Sequence, residues 1–177
     1  MTYLAAGAAF SGPDRAHRWL LWRTWGSAPA MLVIGLNPSK ADECDDDPTI
    51  RRCVGFARRE GCGRLVMANI VPFRATAPAN MVAWLTRTPV EVVAEVMAQN
   101  VTAILQAAQD DCRHVVAAWG ALDRFALVMS LRHLARTTEA ALNGVGKDIG
   151  CLGRTKAGDP RHPLYLRRDA QLLPWTP

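Results

Sequence analysis

Three polar side chains with useful chemistry lie where the chain leaves an apolar run or enters a polar loop. Asn37 follows the apolar run 31–36, Asn69 follows the run 64–68, and His162 lies in a loop rich in glycine, proline and arginine. An asparagine amide both donates and accepts hydrogen bonds, so it can orient a water molecule or bind the edge of a polar ring. A histidine can donate to a developing anion or transfer a proton near neutral pH. Because the strands of an open α/β sheet gather their carboxyl ends along one edge, we expect one composite site there.

Each of these three residues also has a purely structural explanation. Asn37-Pro38 is a common turn dipeptide. A buried Asn69 must find hydrogen-bond partners, since an unpaired amide costs about 1–3 kcal/mol, and those partners could belong to the protein itself. A lone histidine such as His162 is more often structural than functional. The strand-end position of Asn69 and the composition of the loop around His162 favour ligand binding.

An acidic run, residues 42–47, follows the Asn37 loop and offers a second kind of chemistry. Its carboxylates could bind magnesium or supply a general base, and Asp42 is the best candidate because it is nearest to Asn37. Asp47 has a structural explanation, because Asp before Pro48 is a helix N-cap signal. Four arginines fall within the next residues and could form a solvated helix face or contact phosphates: Arg51, Arg52, Arg58 and Arg59.

The elements that must position these residues alternate between strand-like and helix-like patterns. Short apolar runs predict strands at 31–36, 64–71 and 114–118, with a weaker fourth strand between 144 and 152. Helical patterns follow at 47–61, 79–86, 90–108 and 122–134. A possible strand at 3–10 precedes an aromatic-basic stretch, 18–25, whose tryptophans we expect to fix a terminal segment to the core. The alternation predicts a parallel sheet covered by helices on both faces.

The composition limits the possible classes of protein. The 177 residues, half of them apolar, suit one domain spanning residues 1–177. No run reaches the roughly 18 apolar residues of a membrane span and no signal peptide is recognisable, so we expect a cytoplasmic protein with no membrane contact. Five scattered cysteines without a C-x-x-C pair favour free thiols over a zinc or iron–sulfur site. The net charge of +5 permits a polyanionic partner without requiring one.

The common loops of nucleotide-binding proteins and serine hydrolases, G-x-x-x-x-G-K-S/T, G-x-G-x-x-G and G-x-S-x-G, do not occur in the sequence. The chain instead resembles an uncharacterised bacterial and phage family whose motifs are NPS-x-AD, DDPT-x-RR, a strand ending in Asn, WG and HPLYL. It carries these motifs at residues 37–42, 46–52, 68–69, 119–120 and 162–166. The resemblance spans nearly the whole chain, and that family has no settled activity.

More distantly, the layout resembles the uracil-DNA glycosylase superfamily. The loop beginning at Gly35 is similar to the loop that positions the attacking water there, with Asn37 in the water-positioning place. Residues 68–74 are similar to the stretch whose Asn binds the base, and residues 162–166 stand in the place of the loop whose His stabilises the departing base. Ser39 replaces a usual Gly and Leu164 a usual Ser, which bears on duplex DNA repair more than on base binding.

This resemblance implies a fold, a reaction and a set of roles. The fold is a three-layer α/β/α sandwich around a central, mostly parallel four-stranded sheet. The substrate is DNA or a nucleotide containing a modified or deaminated base, and the reaction is hydrolysis of the N-glycosidic bond without a metal or other cofactor. Asn37, helped by Asp42, holds the water and His162 stabilises the leaving base. The substrate-binding residues are Gly35, Ser39, Asn69 and either Phe56 or Phe73 as the stacking ring, and the phosphate-binding residues are Lys40, Arg51, Arg52, Arg74 and Arg161.

Two alternatives stay open at this point. The same fold could be a non-catalytic nucleic-acid or nucleotide-binding module, which would show salt-dependent binding without turnover. A third possibility is a metal-dependent enzyme that uses Asp42, Asp45 and Asp46. Helix capping already explains part of the acidic run, so this third possibility has the least support.

Overall fold

Four parallel strands form the centre of the sheet in the computed structural model, which describes residues 2–175. They are β3 (Ala30–Gly35), β4 (Arg64–Asn69), β5 (Cys112–Ala117) and β6 (Ile149–Cys151), and their spatial order is β4-β3-β5-β6. All six residues of β3 are buried, as expected for a strand that is covered on both faces. These four strands are the ones that the apolar runs predict.

Three further strands extend the sheet to seven, so the prediction of a four-stranded sheet is wrong. β1 (Ala5–Ser11) and β2 (His17–Thr24) join one side, β7 (Leu173–Pro174) joins the other, and the full order is β1-β2-β4-β3-β5-β6-β7. β2 is antiparallel to both of its neighbours, β1 and β4. The stretch 18–25 therefore does more than anchor a terminal segment. The alternation of apolar and polar residues that is typical of a strand is not visible in this stretch, because apolar residues face both sides of the sheet. Leu21 packs on one face, and Leu20 and Trp22 pack on the other.

Helices cover both faces of the sheet and give the three-layer α/β/α arrangement. α1 (Pro48–Arg59) covers one face, while α2 (Pro78–Arg87), α3 (Val90–Gln109) and α4 (Val128–Gly144) cover the other. α1 begins as predicted, because the Asp47 Oδ1 accepts a 2.9 Å hydrogen bond from the Ile50 amide. Beyond its end, Gly61 has a φ of +71°, a conformation that glycine adopts without strain. No helix among residues 2–175 has the length and apolar character that crossing a bilayer requires.

The last helix differs most from its predicted bounds of 122–134. Leu122 is fully buried, so the apolar spacing typical of the helix already begins in the residues before it. Its amide donates to the Asp159 carboxylate at 3.0 Å instead of entering a helical ladder, and the Phe125 amide bonds back to the Leu122 carbonyl as in a turn. α4 therefore begins only at Val128 and continues to Gly144.

The topology places several chain segments at one edge of the sheet. β3, β4 and β5 are parallel, so the residues that follow them meet at the edge where these strands end. β2 runs the opposite way beside β4, which brings the start of β2 to the same edge. That start contains Arg18, a residue that no sequence motif had singled out.

Candidate functional site

A cavity of about 380 Å³ opens at the carboxyl ends of β3, β4 and β5. The structure brings Asn37, Asn69 and His162 to its wall, although they lie far apart in the chain. The volume is in the range of cavities that hold small organic ligands. The remaining wall residues are Arg18, Gly35, Leu36, Ser39, Asp47, Thr49, Ile50, Met67, Ala75, Thr76, Pro78, Trp119, Arg124 and Tyr165.

Asn69 lies on the cavity wall and has an unused hydrogen-bond donor. The residue is only 2% exposed, and its side-chain Nδ2 has no hydrogen-bond partner among residues 2–175. Its main-chain carbonyl is paired, since it accepts from Asn100 Nδ2 at 2.8 Å. An unpaired buried amide costs about 1–3 kcal/mol, which a ligand acceptor would recover on binding.

Gly35 makes room for the amide of Asn69. A Cβ at position 35 would lie 2.9 Å from Asn69 Oδ1 and 3.1 Å from Met67 Cε. Its φ is not positive, so close approach rather than backbone conformation requires glycine here. Gly35 thus acts by shaping the space around Asn69.

Asn37 presents an acceptor rather than a donor. Its Nδ2 donates to the carbonyl oxygens of Pro38 at 3.0 Å and Ala75 at 2.8 Å. Both amide hydrogens are therefore used, and this pairing fixes which end of the amide is nitrogen. The Oδ1 has no donor among the described residues and can accept a hydrogen bond from a water molecule or a ligand.

His162 has a defined tautomer and is held neutral. Its Nδ1 accepts a hydrogen bond from the Leu164 amide at 3.3 Å, so the proton of the neutral ring is on Nε2. Burial lowers the pKa of His162, the charge of Arg124 lowers it further, and Asp47 opposes these effects. The ring therefore offers an Nε2–H donor at neutral pH.

The WG motif supports the loop that carries His162. Gly120 has a φ of +82°, and a Cβ there would lie 3.2 Å from His162 Cβ. The Gly120 amide donates to the Pro160 carbonyl at 2.9 Å, and the Arg161 amide donates to the Gly153 carbonyl at 2.8 Å. Trp119 itself lies on the cavity wall and is buried.

The acidic run forms a folded loop around a buried arginine. Arg23 is 1% exposed; its Nε donates to Asp46 Oδ1 at 2.8 Å and its Nη2 to the Asp42 carbonyl at 2.6 Å. Tyr3 donates to the other Asp46 oxygen at 2.6 Å, and burial together with this carboxylate raises the pKa of Tyr3 to about 12. Within residues 2–175, no three His, Cys, Asp or Glu side chains are grouped so that they could hold a metal ion.

The structure does not place Asp42 on the cavity wall. Its Oδ1 accepts hydrogen bonds from the amides of Asp45 and Cys44, both at 2.9 Å, and these bonds lower the pKa of Asp42. The carboxylate that does reach the wall is Asp47, the N-cap of α1. The sequence explained Asp47 as a cap, and its second position on the cavity wall became visible only in three dimensions.

Neither of the two phenylalanines expected to stack on a base lines the cavity. Phe56 is buried in the core beneath α1, and Phe73 stacks on Trp84 with ring centroids 5.0 Å apart. The aromatic side chains on the cavity wall are Trp119 and Tyr165. Tyr165 is largely exposed and its ring centroid lies 5.7 Å from that of His162. Trp119 belongs to the WG motif and Tyr165 to the HPLYL motif, so these two motifs could have identified the aromatic wall residues from the sequence.

The five predicted phosphate-binding cations lie outside the cavity. Arg51 and Arg52 line a separate groove of about 580 Å³ beside α1, together with Leu164 and Arg168. Lys40 and Arg161 are exposed, and the Arg74 guanidinium lies 5.0 Å above the Phe10 ring. The cations on the cavity wall are Arg18 and Arg124. Burial lowers the pKa of Arg18 to about 10, so it remains charged at neutral pH.

Fold and site together define an α/β/α protein with a polar cavity at the carboxyl edge of its sheet. The chain belongs to the family described as protein of unknown function (DUF1643), whose sequence model matches residues 18–164. This agrees with the predicted membership of an uncharacterised family. No curated protein and no solved structure matches the chain. The matched span begins at Arg18 and contains Asn37, Asn69 and His162.

Proposed function

We propose that the cavity binds a nucleobase and that the protein hydrolyses the N-glycosidic bond of that base in DNA or in a nucleotide. The observation that carries this proposal is a set of three complementary groups on one cavity wall. They are the unpaired Asn69 amide, the free Asn37 Oδ1 acceptor and the His162 Nε2–H donor. A planar heterocycle with donors and acceptors on its edge satisfies all of these groups better than an apolar ligand does.

Base recognition falls to Asn69 and the aromatic wall residues. The Asn69 amide forms hydrogen bonds with the edge of the base, so the Asn69 Nδ2 gains a partner and its desolvation penalty is offset. Tyr165, the exposed aromatic next to His162, replaces Phe56 and Phe73 as the ring expected to stack on the base. Unstacking a base from a strand costs a few kcal/mol, and these contacts offset part of that free energy.

His162 and Asn37 have separate roles in the hydrolysis. As the bond between C1′ and the base nitrogen breaks, the base leaves with the electron pair, and the His162 Nε2–H stabilises the resulting anion. The water held by Asn37 Oδ1 bonds to C1′ and releases its proton to solvent, and the base anion takes up a proton afterwards. Asp47, the carboxylate found among the described wall residues, stabilises positive charge on the sugar, a role that replaces the one expected for Asp42.

The basic groove beside α1 suits the phosphates next to the bound base. Arg51, Arg52 and Arg168 line it, and Leu164, two residues after His162, forms part of the same wall. Arg51 and Arg52 therefore keep the phosphate-binding role expected from the sequence, at a separate place from the base. Binding through this groove would weaken with added salt, because each neutralised phosphate releases counterions.

A non-catalytic binding module is the second candidate, and one observation favours it. Asp42 forms a turn with Asp45 and Cys44 instead of facing the cavity, and Asp47 uses one oxygen to cap α1. The water held at Asn37 therefore has no carboxylate dedicated to removing its proton. A module of this kind would bind the same bases without cleaving them.

Base release from modified nucleic acids separates the two candidates. Single-stranded and duplex oligonucleotides with uracil, hypoxanthine or 5-substituted pyrimidines, and the matching nucleotides, are incubated with the protein. Abasic sites are detected by alkaline cleavage and free bases by chromatography. We expect His162→Ala to slow release by about 10²–10³-fold, as for the loss of one oxyanion donor, with a much smaller change in affinity.

His133→Ala is the matched control, because His133 is exposed on α4 outside the cavity wall. This variant should release base at the native rate. Native protein that binds the oligonucleotides but releases no base from any of them would contradict the enzyme proposal and support the binding module.

A further inference from the structure

Arg18 is a buried cation that enters the cavity from an antiparallel strand. It is the second residue of β2, and the direction of β2 brings it to the edge where the parallel strands end. The side chain is 2% exposed and lies on the cavity wall. A charged group withdrawn from water to this extent requires pairing, because its lost hydration is otherwise uncompensated.

The protein supplies only part of that pairing. Arg18 Nη1 donates to the Ala41 carbonyl at 2.9 Å. The buried Nε has no partner among residues 2–175, and Nη2 makes no hydrogen bond to that part of the chain either. Asp47 is near enough to favour the charged form, yet it forms no ion pair with Arg18. Two of the three guanidinium nitrogens, Nε and Nη2, are therefore without a partner among the described residues.

The charges on the wall favour an anion over a neutral acceptor. Arg18 and Arg124 contribute two positive charges, Asp47 contributes one negative charge, and His162 is neutral. A guanidinium binds carboxylate and phosphate oxygens through two parallel hydrogen bonds, which are about twice as strong as those between neutral groups. A ligand without charge would leave the buried cation uncompensated.

We propose that Arg18 binds an oxyanion of the ligand, so that the cavity takes a nucleobase compound carrying a carboxylate or a phosphate. The planar ring in this statement rests on the proposed function, whereas the anion rests on Arg18. Arg18 is thus a specificity-determining residue, and it distinguishes charged ligands from their neutral counterparts.

Matched ligand pairs test this in the unmodified protein. Calorimetry compares uracil with uracil-6-carboxylate, and each common nucleoside and inosine with its 5′-monophosphate. We expect the charged member of at least one pair to bind about tenfold more tightly or better, as for a charge-assisted bidentate pair. A preference confined to uracil-6-carboxylate assigns Arg18 to a group on the ring, and one confined to the monophosphates assigns it to the phosphate. No preference in any pair, including no binding at all, overturns the proposal.

The Arg18→Lys variant tests whether the preference for charged ligands depends on this residue. Lysine keeps the positive charge and a hydrogen-bond donor, whereas the two-nitrogen fork of arginine, one nitrogen of which donates to the Ala41 carbonyl, is lost. We expect this variant to unfold at a temperature close to the native one and to lose most of the preference for the charged ligand. Arg87→Lys, at the exposed end of α2, should retain the preference. Retention of the full preference in Arg18→Lys contradicts the assignment.

Failure of this inference can be distinguished from failure of the proposed function. A preference for charged ligands without base release from any substrate would leave the role of Arg18 intact and reject the glycosidic hydrolase. Base release by the native protein, without a preference for the charged member of any matched pair, would support the glycosidic hydrolase and reject the role of Arg18.

Discussion

The acidic loop 42–47 and the neighbouring cavity contain similar polar residues but differ in how those residues are paired. In the loop, Arg23 bonds to the Asp46 carboxylate and to the carbonyl oxygens of Asp42 and Trp22. In the cavity, the Asn69 Nδ2 and part of the Arg18 guanidinium lack partners among the described residues. Both arginines are on β2 and both are buried.

This difference separates a structural cluster from a candidate binding site. Paired polar groups in a low-dielectric environment stabilise one conformation, whereas unpaired ones carry a cost that only a ligand or water removes. The acidic loop is conspicuous in the sequence and serves the fold. The cavity residues are scattered in the sequence, and their shared property of unused hydrogen-bonding capacity exists only in three dimensions.

Removal of the cation from the paired cluster should have the largest effect on stability. Arg23→Ala removes the donor to Asp46 Oδ1 and to the Asp42 and Asp45 carbonyls, and leaves the Asp46 carboxylate with Tyr3 as its donor. We expect a loss of about 3–5 kcal/mol in the free energy of unfolding, as for other broken buried ion pairs, measured by urea denaturation. Arg58→Ala, at an exposed position of α1, is the control and should change stability by less than about 1 kcal/mol. A loss below about 1 kcal/mol in Arg23→Ala would contradict the structural role of the acidic loop.

Filling the space beside Asn69 should come next in size. In Gly35→Ala the new methyl would lie 2.9 Å from Asn69 Oδ1, so the amide must move. We expect a stability loss of about 1–3 kcal/mol from overpacking and a clear loss of affinity for the best ligand of the matched pairs. Urea denaturation and calorimetry measure the two effects on the same preparation.

Gly144→Ala is the matched control for that substitution. Gly144 is exposed at the end of α4, and its Cβ would meet nothing within 4 Å. Alanine is the better helix former, so this variant should keep or gain up to about 1 kcal/mol of stability and bind ligand normally. Native affinity in Gly35→Ala would show that the position of the Asn69 amide does not matter for binding.

Asn69 and Asn100 are both buried and differ in the pairing of Nδ2, which has no partner in Asn69 and donates to the Asn69 carbonyl in Asn100, whose Oδ1 has no partner among residues 2–175. Asn69→Leu removes an amide whose Nδ2 has no partner, so we expect stability to stay unchanged or to rise by about 1 kcal/mol while ligand binding is lost. Asn100→Leu removes the donor to the Asn69 carbonyl and should cost about 1–3 kcal/mol. Urea denaturation of both variants checks the signs. A strong destabilisation by Asn69→Leu would mean that its amide serves the fold.

The sequence predicted the central fold well because the signals there are local. The apolar run of β3 and the cap of α1 at Asp47 depend on a few neighbouring residues, and both appear where expected. β2 was missed because apolar side chains on both of its faces hide the alternation, and its pairing with β4 involves residues about 45 positions away. The seven-stranded sheet follows from such distant pairings.

The candidate site shows the same limit. Asn37, Asn69 and His162 were predicted to share one site, because residues that follow parallel strands must meet at one edge, and the structure brings them together. Their roles remain predictions. Arg18 was missed because the aromatic-basic stretch that it begins was interpreted as an anchor for a terminal segment, and no motif contains Arg124. Phe56 was chosen although its helix position faces the core.

The smallest expected effect concerns the pH dependence of stability and the neutral state of His162. Burial lowers the pKa of His162 in the folded protein, so below its ordinary value of 6.5 the unfolded chain binds more protons than the folded one. Stability should therefore fall as the pH decreases below about 6.5, and His162→Gln should fall less steeply. Burial lowers the pKa of His17 in the same direction, so part of the native slope persists in that variant. Urea denaturation of native protein and His162→Gln between about pH 5 and 7 measures the difference. A steeper loss in the variant would mean that His162 is charged in the folded state, and its Nε2 would then act as a cationic donor.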